Sequence, residues 1–220
     1  MRGFGRVQKE RFVLQRTPTD GRVLHIGCTN SPRTIGRLEN KTLLHEHILE
    51  RCPAAVGIDI DGEAIDLLRE RFPKAELVAG DAHHLNQYFN DRRFDLIIAG
   101  DVIEHLPNPG LFLDSCRDQL APNGKILVTT ANTFHIGRFI KSLLFHEAVH
   151  SEHTAYFSPK TLSRIGHMCG LDVAEYGYYA CEKLTGFSLN RALTNGVEII
   201  STVLWPQLSD GVIAVFKKEA

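Results

Sequence analysis

Short runs of apolar residues alternate with longer amphipathic segments along most of the chain. Uninterrupted apolar runs of this length are typical of strands buried on both faces, and the segments between them repeat apolar residues at helical spacing. The runs predict strands at residues 22–26, 54–60, 76–79, 94–99, 125–130, 171–179 and 211–217. Because strands that alternate with helices form parallel sheets joined by crossover helices, the pattern predicts an α/β fold.

Two of the predicted helices have clear end signals. The helix at residues 63–71 follows Asp61, whose side chain can accept hydrogen bonds from first-turn amides, and precedes Pro73, which cannot continue a helix. The helix at residues 158–168 precedes Gly170, a residue that favours the left-handed conformation found after helix ends.

Residues 132–159 and 187–204 form two segments that are too long to be simple connections in a compact domain. We predict helical insertions here, after the fifth and sixth strands, that form a lid or the acceptor side of a site. The first segment carries Phe139, Leu143 and Phe145. Such side chains either join the core or face an apolar ligand, and both alternatives stay open at this point.

Composition narrows the function classes. The 220 residues carry 25 Lys and Arg against 26 Asp and Glu, so no overall basic field attracts nucleic acid. No stretch reaches the roughly 18 apolar residues of a membrane span, and the amino terminus lacks the apolar core of a secretion signal. The five cysteines form no C-x-x-C pair, which fits a reducing compartment. We expect one soluble cytoplasmic domain over residues 1–220. The sequence does not indicate whether the protein forms oligomers.

Small and acidic residues end successive predicted strands. Gly27 follows the first strand and allows a tight turn whose amides face a ligand. Asp59 ends the second strand, where a carboxylate can accept hydrogen bonds from both hydroxyls of a ribose. Asp81 and Ala82 follow the third strand, and Asp101 follows the fourth. Because the carboxyl ends of parallel strands meet at one edge of a sheet, these residues predict a ligand site there.

Taken together, these strand-end sequences resemble those of the class I S-adenosylmethionine-dependent methyltransferases. The similarity is carried by GIDID at 57–61, GDA at 80–82, DVIEHL at 101–106, APNGK at 121–125 and HTAYFSPKTL at 153–162. The resemblance covers most of the chain. It implies a Rossmann-like, doubly wound sheet of seven strands, mostly parallel with the last strand antiparallel, and S-adenosylmethionine as the cofactor.

The resemblance also implies which residues contact the cofactor. Gly27 and its neighbours would approach the methionine part, Asp59 the ribose and Asp81 the adenine amine. Ile60 and Ala82 would face the adenine ring. The full predicted cofactor-binding set is His25, Gly27, Cys28, Thr29, Asn30, Asp59, Ile60, Asp81, Ala82 and Asp101.

The first motif departs from the family pattern, which reads acid-x-Gly-x-Gly-x-Gly. His25, Thr29 and Ser31 stand where the family has the acid and two of the glycines. A Cβ atom restricts positive φ values, although Asn30 tolerates them. Two functions are consistent with this sequence. One is a methyltransferase acting on a small-molecule acceptor, with sugars and lipid-linked intermediates as candidates, and the other is a non-catalytic methyltransferase-like binding or regulatory module.

Two histidines are candidates for a general base that takes a proton from a hydroxyl acceptor. His105 follows the fourth strand, and His153 lies in the first inserted segment. Imidazole suits this task because it titrates near neutral pH. The alternative for each is a purely structural role.

Several other histidines are close together in the sequence and could in principle bind a metal ion. Residues 146–150 read HEAVH and satisfy H-E-x-x-H, a pattern that on a helix pairs two zinc-binding imidazoles in metallopeptidases. No third ligand is evident, and this reading leaves the strand-end residues unexplained, so we predict no metal. His45 and His47 diverge on one helix and His83 and His84 are adjacent, so we expect solvated or capping roles for these four.

Overall fold

A computed structural model describes residues 2–147, 149–180 and 202–219. Its centre is one sheet of eight strands in the order β1-β7-β8-β6-β5-β2-β3-β4. The strands are β1 Arg2–Val7, β2 Val23–Ile26, β3 Val56–Asp59, β4 Glu76–Ala79, β5 Phe94–Gly100, β6 Leu120–Ala131, β7 Leu171–Tyr179 and β8 Gly211–Lys218. Strands β2 to β6 pair in parallel, whereas β8 is antiparallel to both β6 and β7. The predicted α/β, Rossmann-like class with an antiparallel last strand is confirmed.

The sheet has one strand more than the seven that were predicted. Strand β1 pairs in parallel with β7 at the edge of the sheet. The prediction missed it because its sequence, RGFGRV, has neither an apolar run nor regular alternation, and its side chains are exposed or only half-buried. A strand at a sheet edge needs no continuous apolar run, since it is not covered on both faces.

Eight α-helices that lie wholly within the described residues connect and cover the strands. They are α1 Lys9–Arg16, α2 Thr34–Glu39, α3 Leu44–Arg51, α4 Gly62–Arg71, α5 Asn86–Phe89, α6 Pro109–Asp118, α7 Ile136–Leu143 and α8 Pro159–Met168. Asp61 caps α4 by accepting from the Ala64 amide, and Ser158 caps α8 in a reciprocal pair with Thr161. Gly170, with φ of +67°, follows α8 as its left-handed terminator.

Both faces of the sheet are buried in apolar cores. Along β2, Val23 faces one core with Phe12 of α1 and Ile48 of α3, whereas Leu24 faces the other with Phe112 of α6. Successive strand side chains point to opposite faces, so burial on both faces explains why the central strands are uninterrupted apolar runs.

The first inserted segment contains a helix, as predicted, but its apolar side chains do not join the core. Phe139 of α7 is 60% exposed, Leu143 is 63% exposed and Phe145 is 99% exposed. Most of the second predicted insertion, residues 187–201, lies outside the described residues. In the part of the chain that is described, no helix has the length and apolarity needed to cross a membrane.

Candidate cofactor and acceptor site

The turn after β2 lies where the order of the strands reverses. From β2 the chain adds β3 and β4 on one side and then returns to place β5 on the other. Gly27 begins this turn with φ of +75°, and its amide donates to the Ile58 carbonyl at 2.9 Å. A Cβ atom on Gly27 would lie 2.5 Å from Cγ2 of Val102. The backbone of β2 and the loop after β5 therefore approach each other more closely than any residue except glycine allows.

Thr29 and Asn30 complete the turn in place of the family's glycines. Asn30 takes the left-handed conformation, with φ of +57°. Thr29 is fully buried, and both its amide and its hydroxyl donate to Oδ2 of Asp59, at 3.0 and 2.7 Å. The other carboxylate oxygen, Oδ1, accepts from the Asp61 amide at 3.2 Å. The side chain of Thr29 thus fixes the orientation of the Asp59 carboxylate, which is predicted to bind the ribose.

Asp81 lies beside Asp59 because the Gly80 amide donates to the Asp59 carbonyl at 2.8 Å. The Oδ1 atom of Asp81 accepts from the amide of His83 at 2.9 Å and lies 2.8 Å from Nδ1 of the same residue. The His83 amide, followed by the imidazole, outweighs desolvation and lowers the pKa of Asp81 below its usual value. A stable carboxylate is therefore present at the end of β4.

The two residues predicted to face the adenine differ in exposure. Ile60 follows β3 and is 76% exposed, which is unusual for an isoleucine. Ala82 follows β4 and is buried at 8% exposure within the main core. The exposed face of Ile60 is available to an apolar ring.

The side chains of His25 and Cys28 point into the protein. His25 is 3% exposed, and its Nδ1 lies 3.2 Å from Nδ1 of His45, which is fully buried. Burial lowers the pKa of His45 to about 4, and burial together with His45 lowers the pKa of His25 well below 6.5. Cys28 is 1% exposed, and burial raises its pKa well above 9.0. Only backbone atoms of these two residues remain to face a ligand, and the solvated role expected for His45 is wrong.

Asp101 follows β5 and is held in a network that sequence reasoning did not find. Its Oδ2 pairs with Nζ of Lys9 at 2.5 Å, and its Oδ1 accepts from the hydroxyls of Tyr179 at 2.6 Å and Thr129 at 2.8 Å. Partial burial opposes ionisation, but Lys9 and the two hydroxyls overcome it and lower the pKa of Asp101. Lys9 is the first residue of α1. This helix, which was not predicted from the sequence, therefore supplies a positive charge to the sheet edge at which the parallel strands end.

Glu104 connects the loop after β5 to the first inserted segment. Its Oε1 accepts from the Ala131 amide at 3.0 Å, and its carbonyl accepts from the Thr154 amide at 2.7 Å. Burial, followed by the nearby charge of Asp101, raises the pKa of Glu104 to about 7. These bonds hold the inserted segment against the end of β5.

His105 and His153, the two candidate bases, lie next to each other. Their ring centroids are 4.7 Å apart, and His150 packs at the same distance from His153. Burial, and then the charges that His105 and His150 carry when protonated, lowers the pKa of His153 to about 4. His153 is therefore neutral at physiological pH.

The H-E-x-x-H sequence does not form the helical zinc pair that its pattern permits. Helix α7 ends at Leu143, and residues 146, 147, 149 and 150 are not helical. His150 lies instead beside His105 and His153. The two histidines of the motif therefore do not share one helix face.

Comparison with protein families agrees with the topology and with the strand-end residues. The model of a family described as "Methyltransferase domain" matches residues 6–176. This chain belongs to that family, within the class I methyltransferases. The cofactor of these class I proteins is S-adenosylmethionine.

Curated relatives and a solved structure match at low identity. A "Probable S-adenosylmethionine-dependent methyltransferase" of Mycolicibacterium smegmatis is 32% identical over 93 residues, 41% of this chain and 35% of the relative. A ubiquinone biosynthesis O-methyltransferase of Shewanella halifaxensis is 20% identical over 76% of this chain and 67% of its own. The match to the first of these relatives thus spans about a third of its length.

A methyltransferase of Burkholderia thailandensis, solved with 1,6-didemethyltoxoflavin and S-adenosylhomocysteine, superposes on this chain with a TM-score of 0.56. The superposition covers 96% of this chain and 77% of the other, at 12% sequence identity. At that identity the similarity shows a shared fold.

Proposed function

We propose that this protein transfers a methyl group from S-adenosylmethionine to a small-molecule acceptor. The observation that carries the proposal is the convergence of Gly27, Asp59 and Asp81 at three neighbouring strand ends. Bound S-adenosylmethionine would supply a methyl group on a positively charged sulfur, which is already activated toward displacement. Alignment of the acceptor is then the main contribution of the protein.

The residues at this edge fit the parts of the cofactor. The turn at Gly27 lies at the sheet edge, where its backbone would approach the methionine part, while Val102 fills the space left by the missing Cβ. The Asp59 carboxylate is suited to accept from ribose hydroxyls, and Ile60 offers an exposed apolar surface for adenine. Asp81 would accept from the adenine amine. The remaining predicted residues would contact the cofactor next to these groups. Thr29, Asn30 and Asp101 would do so directly, whereas His25 and Cys28 would contribute only backbone atoms.

On the acceptor side we propose that His105 or His153 takes the proton of a hydroxyl acceptor. As the new O–CH₃ bond forms and the S–CH₃ bond breaks, the hydroxyl proton would move to a ring nitrogen, and the bonding pair would stay on sulfur. His153 is neutral, as a proton acceptor must be, but a pKa of about 4 makes its imidazole a weaker base than an ordinary histidine. The exposed apolar side chains of α7 nearby favour a lipid-linked acceptor over a free sugar.

Calorimetry with S-adenosylmethionine and S-adenosylhomocysteine tests the cofactor site. We expect saturable binding by the wild type and at least tenfold weaker binding by Asp59→Ala, since two charge-assisted hydrogen bonds would be lost. Asp66→Ala is the matched control, because Asp66 is exposed on α4 and pairs only locally with Arg69. No binding by a folded wild type, or equal loss in both variants, would refute the proposal.

A second candidate, the non-catalytic binding or regulatory module, is supported by Thr29. Its hydroxyl occupies Oδ2 of Asp59, an oxygen that the family pattern, with glycine at this position, would leave free of that bond. The two functions are distinguished by incubating the protein with S-adenosylmethionine and hydroxyl-bearing acceptors and measuring S-adenosylhomocysteine. Only the methyltransferase would produce it. Tight cofactor binding without turnover over a broad acceptor panel would favour the module.

We further propose that residues 1–220 form a single domain in the cytoplasm. The continuous sheet that includes both β1 and β8 supports the first part. Cys28, Cys52, Cys116 and Cys169 are free and buried, which supports the second, because disulfides are rare in reducing compartments.

A further inference from the structure

Three potential metal ligands come together at the acceptor side: Glu104, His105 and His153. Glu104 and His153 are 49 positions apart in the sequence. One potential ligand atom of each lies within 4.8 Å of those of the other two. The loop after β5 supplies the first two residues, and the first inserted segment supplies the third. Sequence spacing gave no hint of a chelate, because only the fold closes this distance.

Two atoms in this cluster are buried without partners. Glu104 is 1% exposed, and its Oε1 is bound by the Ala131 amide. Its Oε2 has no hydrogen-bond partner, although the buried hydroxyl of Thr130 lies close enough to favour the ionised carboxylate. Nδ1 of His153 is also buried and has no hydrogen-bond partner. Buried polar atoms in folded proteins are nearly always paired, so Nδ1 of His153, for which no neighbouring hydroxyl is at hand, points to a missing ligand.

Of the cations near this cluster, Lys9 is paired with Asp101, whereas Arg138 lies close enough to His153 to lower the pKa of its imidazole. Lys9 and the hydroxyls of Tyr179 and Thr129 bind the carboxylate of Asp101. That network accounts for Asp101, so Asp101 is not counted as a ligand here. The carboxylate of Glu104 has no such cationic partner among the ion pairs of the described residues.

We propose that Glu104, His105 and His153 bind a divalent first-row transition-metal ion. Two imidazoles and one carboxylate form a donor set that suits Zn²⁺, Mn²⁺ or Fe²⁺, whereas Mg²⁺ prefers oxygen ligands throughout. Three protein ligands leave coordination positions open, and a hydroxyl or phenolic oxygen of an acceptor is the kind of group that would occupy one. The ring of His150, tilted against that of His153 with centroids 4.7 Å apart, lies close enough to orient the His153 imidazole.

The inference deepens the proposed function, since it uses the same two histidines. A ring nitrogen bound to the ion cannot accept a proton at the same time. Proton acceptance by that nitrogen would therefore belong to the ion-free protein, whereas the ion-bound protein would hold an acceptor oxygen in place. Metal binding and cofactor binding are separate measurements, so either proposal can fail alone.

A second group, His167, Asp172 and Glu219, provides an internal control. Its ligand atoms are also within 4.8 Å of one another, but they lie at the surface and form ordinary ion pairs at 3.6 and 3.9 Å. It contains no buried atom without a partner, so it carries no proposal.

Calorimetric titration of chelator-treated protein with Zn²⁺ and Mn²⁺ tests the site directly. We expect one equivalent to bind the wild type and the His167→Ala variant, with at least tenfold weaker binding in His105→Ala and His153→Ala. Mg²⁺ is expected to bind far more weakly than Zn²⁺. Glu104→Gln keeps the shape of the buried side chain and is the third variant, with circular dichroism to check folding.

Absence of saturable Zn²⁺ and Mn²⁺ binding by the wild type would overturn the inference, and so would binding that is lost in His167→Ala but kept in His105→Ala. The same samples are titrated with S-adenosylmethionine. Cofactor binding without metal binding would support the proposed function and refute the metal site. Metal binding without cofactor binding would leave only the metal site.

Discussion

Thr29 donates two hydrogen bonds to one carboxylate oxygen of Asp59, from its amide at 3.0 Å and from its hydroxyl at 2.7 Å. A glycine at this position could supply only the first. The chain has therefore replaced backbone freedom in the turn after β2 with a side-chain bond that holds the Asp59 carboxylate in place.

Thr29→Val removes the hydroxyl and keeps the shape of the side chain. We expect S-adenosylmethionine binding to weaken about tenfold, because a hydrogen bond to a charged group contributes roughly 1.5–3 kcal/mol and part of that orients Asp59. Calorimetry measures the change. Thr29→Ser keeps the hydroxyl and serves as the control, and unchanged affinity in Thr29→Val would show that the bond plays no part in binding.

Gly27→Ala tests the close approach between β2 and the loop after β5. A left-handed φ costs alanine about 1 kcal/mol, and its Cβ would overlap Cγ2 of Val102, so we expect a loss of at least about 2 kcal/mol in unfolding free energy. Urea denaturation measures it. Gly36→Ala in α2 is matched, since nothing lies within 4 Å of its added Cβ. Val102→Ala combined with Gly27→Ala should recover only the part that is due to overlap.

Lys9→Met tests the charge that α1 brings to Asp101. We expect a loss of about 1 kcal/mol at pH 7, because the side chains are 26% and 34% exposed and solvent screens the pair. The folded pKa of Asp101 is lowered, so its contribution is present above the unfolded value and is lost as pH falls through the folded value. Without Lys9 the folded pKa of Asp101 would rise towards the unfolded value, so less stability should be lost over this pH range.

Urea titrations between pH 3 and pH 7 measure the effect. Lys160→Met, an exposed position at the start of α8, is the control. Identical pH profiles for the wild type and Lys9→Met would show that the ion pair does not stabilise the fold.

The His25–His45 pair predicts a loss of stability in mild acid. Both pKa values are lowered, with that of His45 at about 4, so between about pH 6.5 and 4 the unfolded chain binds protons that the folded chain does not. Stability should fall with decreasing pH across this window, by on the order of 1.4 kcal/mol per pH unit for each histidine. His45→Gln should flatten the slope.

The unfolding free energy measured at half-unit pH steps gives the slope. His84→Gln is the control because His84 is exposed, and it should leave the slope unchanged. Because His153 and Glu104 also titrate in this window, the comparison of variants decides: equal slopes in the wild type and in His45→Gln would contradict the prediction.

Local patterns predicted seven of the eight strands closely. The bounds of β4 and β7 agree with the predicted runs 76–79 and 171–179, because both faces of these strands follow simple apolar or alternating rules. The predicted cap at Asp61 also follows from short-range chemistry. The family was identified from these strand ends, and the comparison with family models confirms it.

Features that depend on contacts between distant residues were missed. Nothing in RGFGRV indicates that it pairs with β7, or that Lys9 then reaches Asp101. His45 had a usable signal, since it lies three positions before Ile48 and shares the buried face of α3. The cluster of Glu104, His105 and His153 had none, because the path of the inserted segment decides it.

The pairing of β1 with β7 has a practical consequence for anyone who trims this chain for crystallisation. Removal of the first nine residues would uncover the backbone of β7 as a new sheet border, open to pairing with another molecule. It would also take away the ammonium group beside Asp101. Aggregation or weak cofactor binding by a shortened protein would then report on the cut itself, and not on the properties of the full chain.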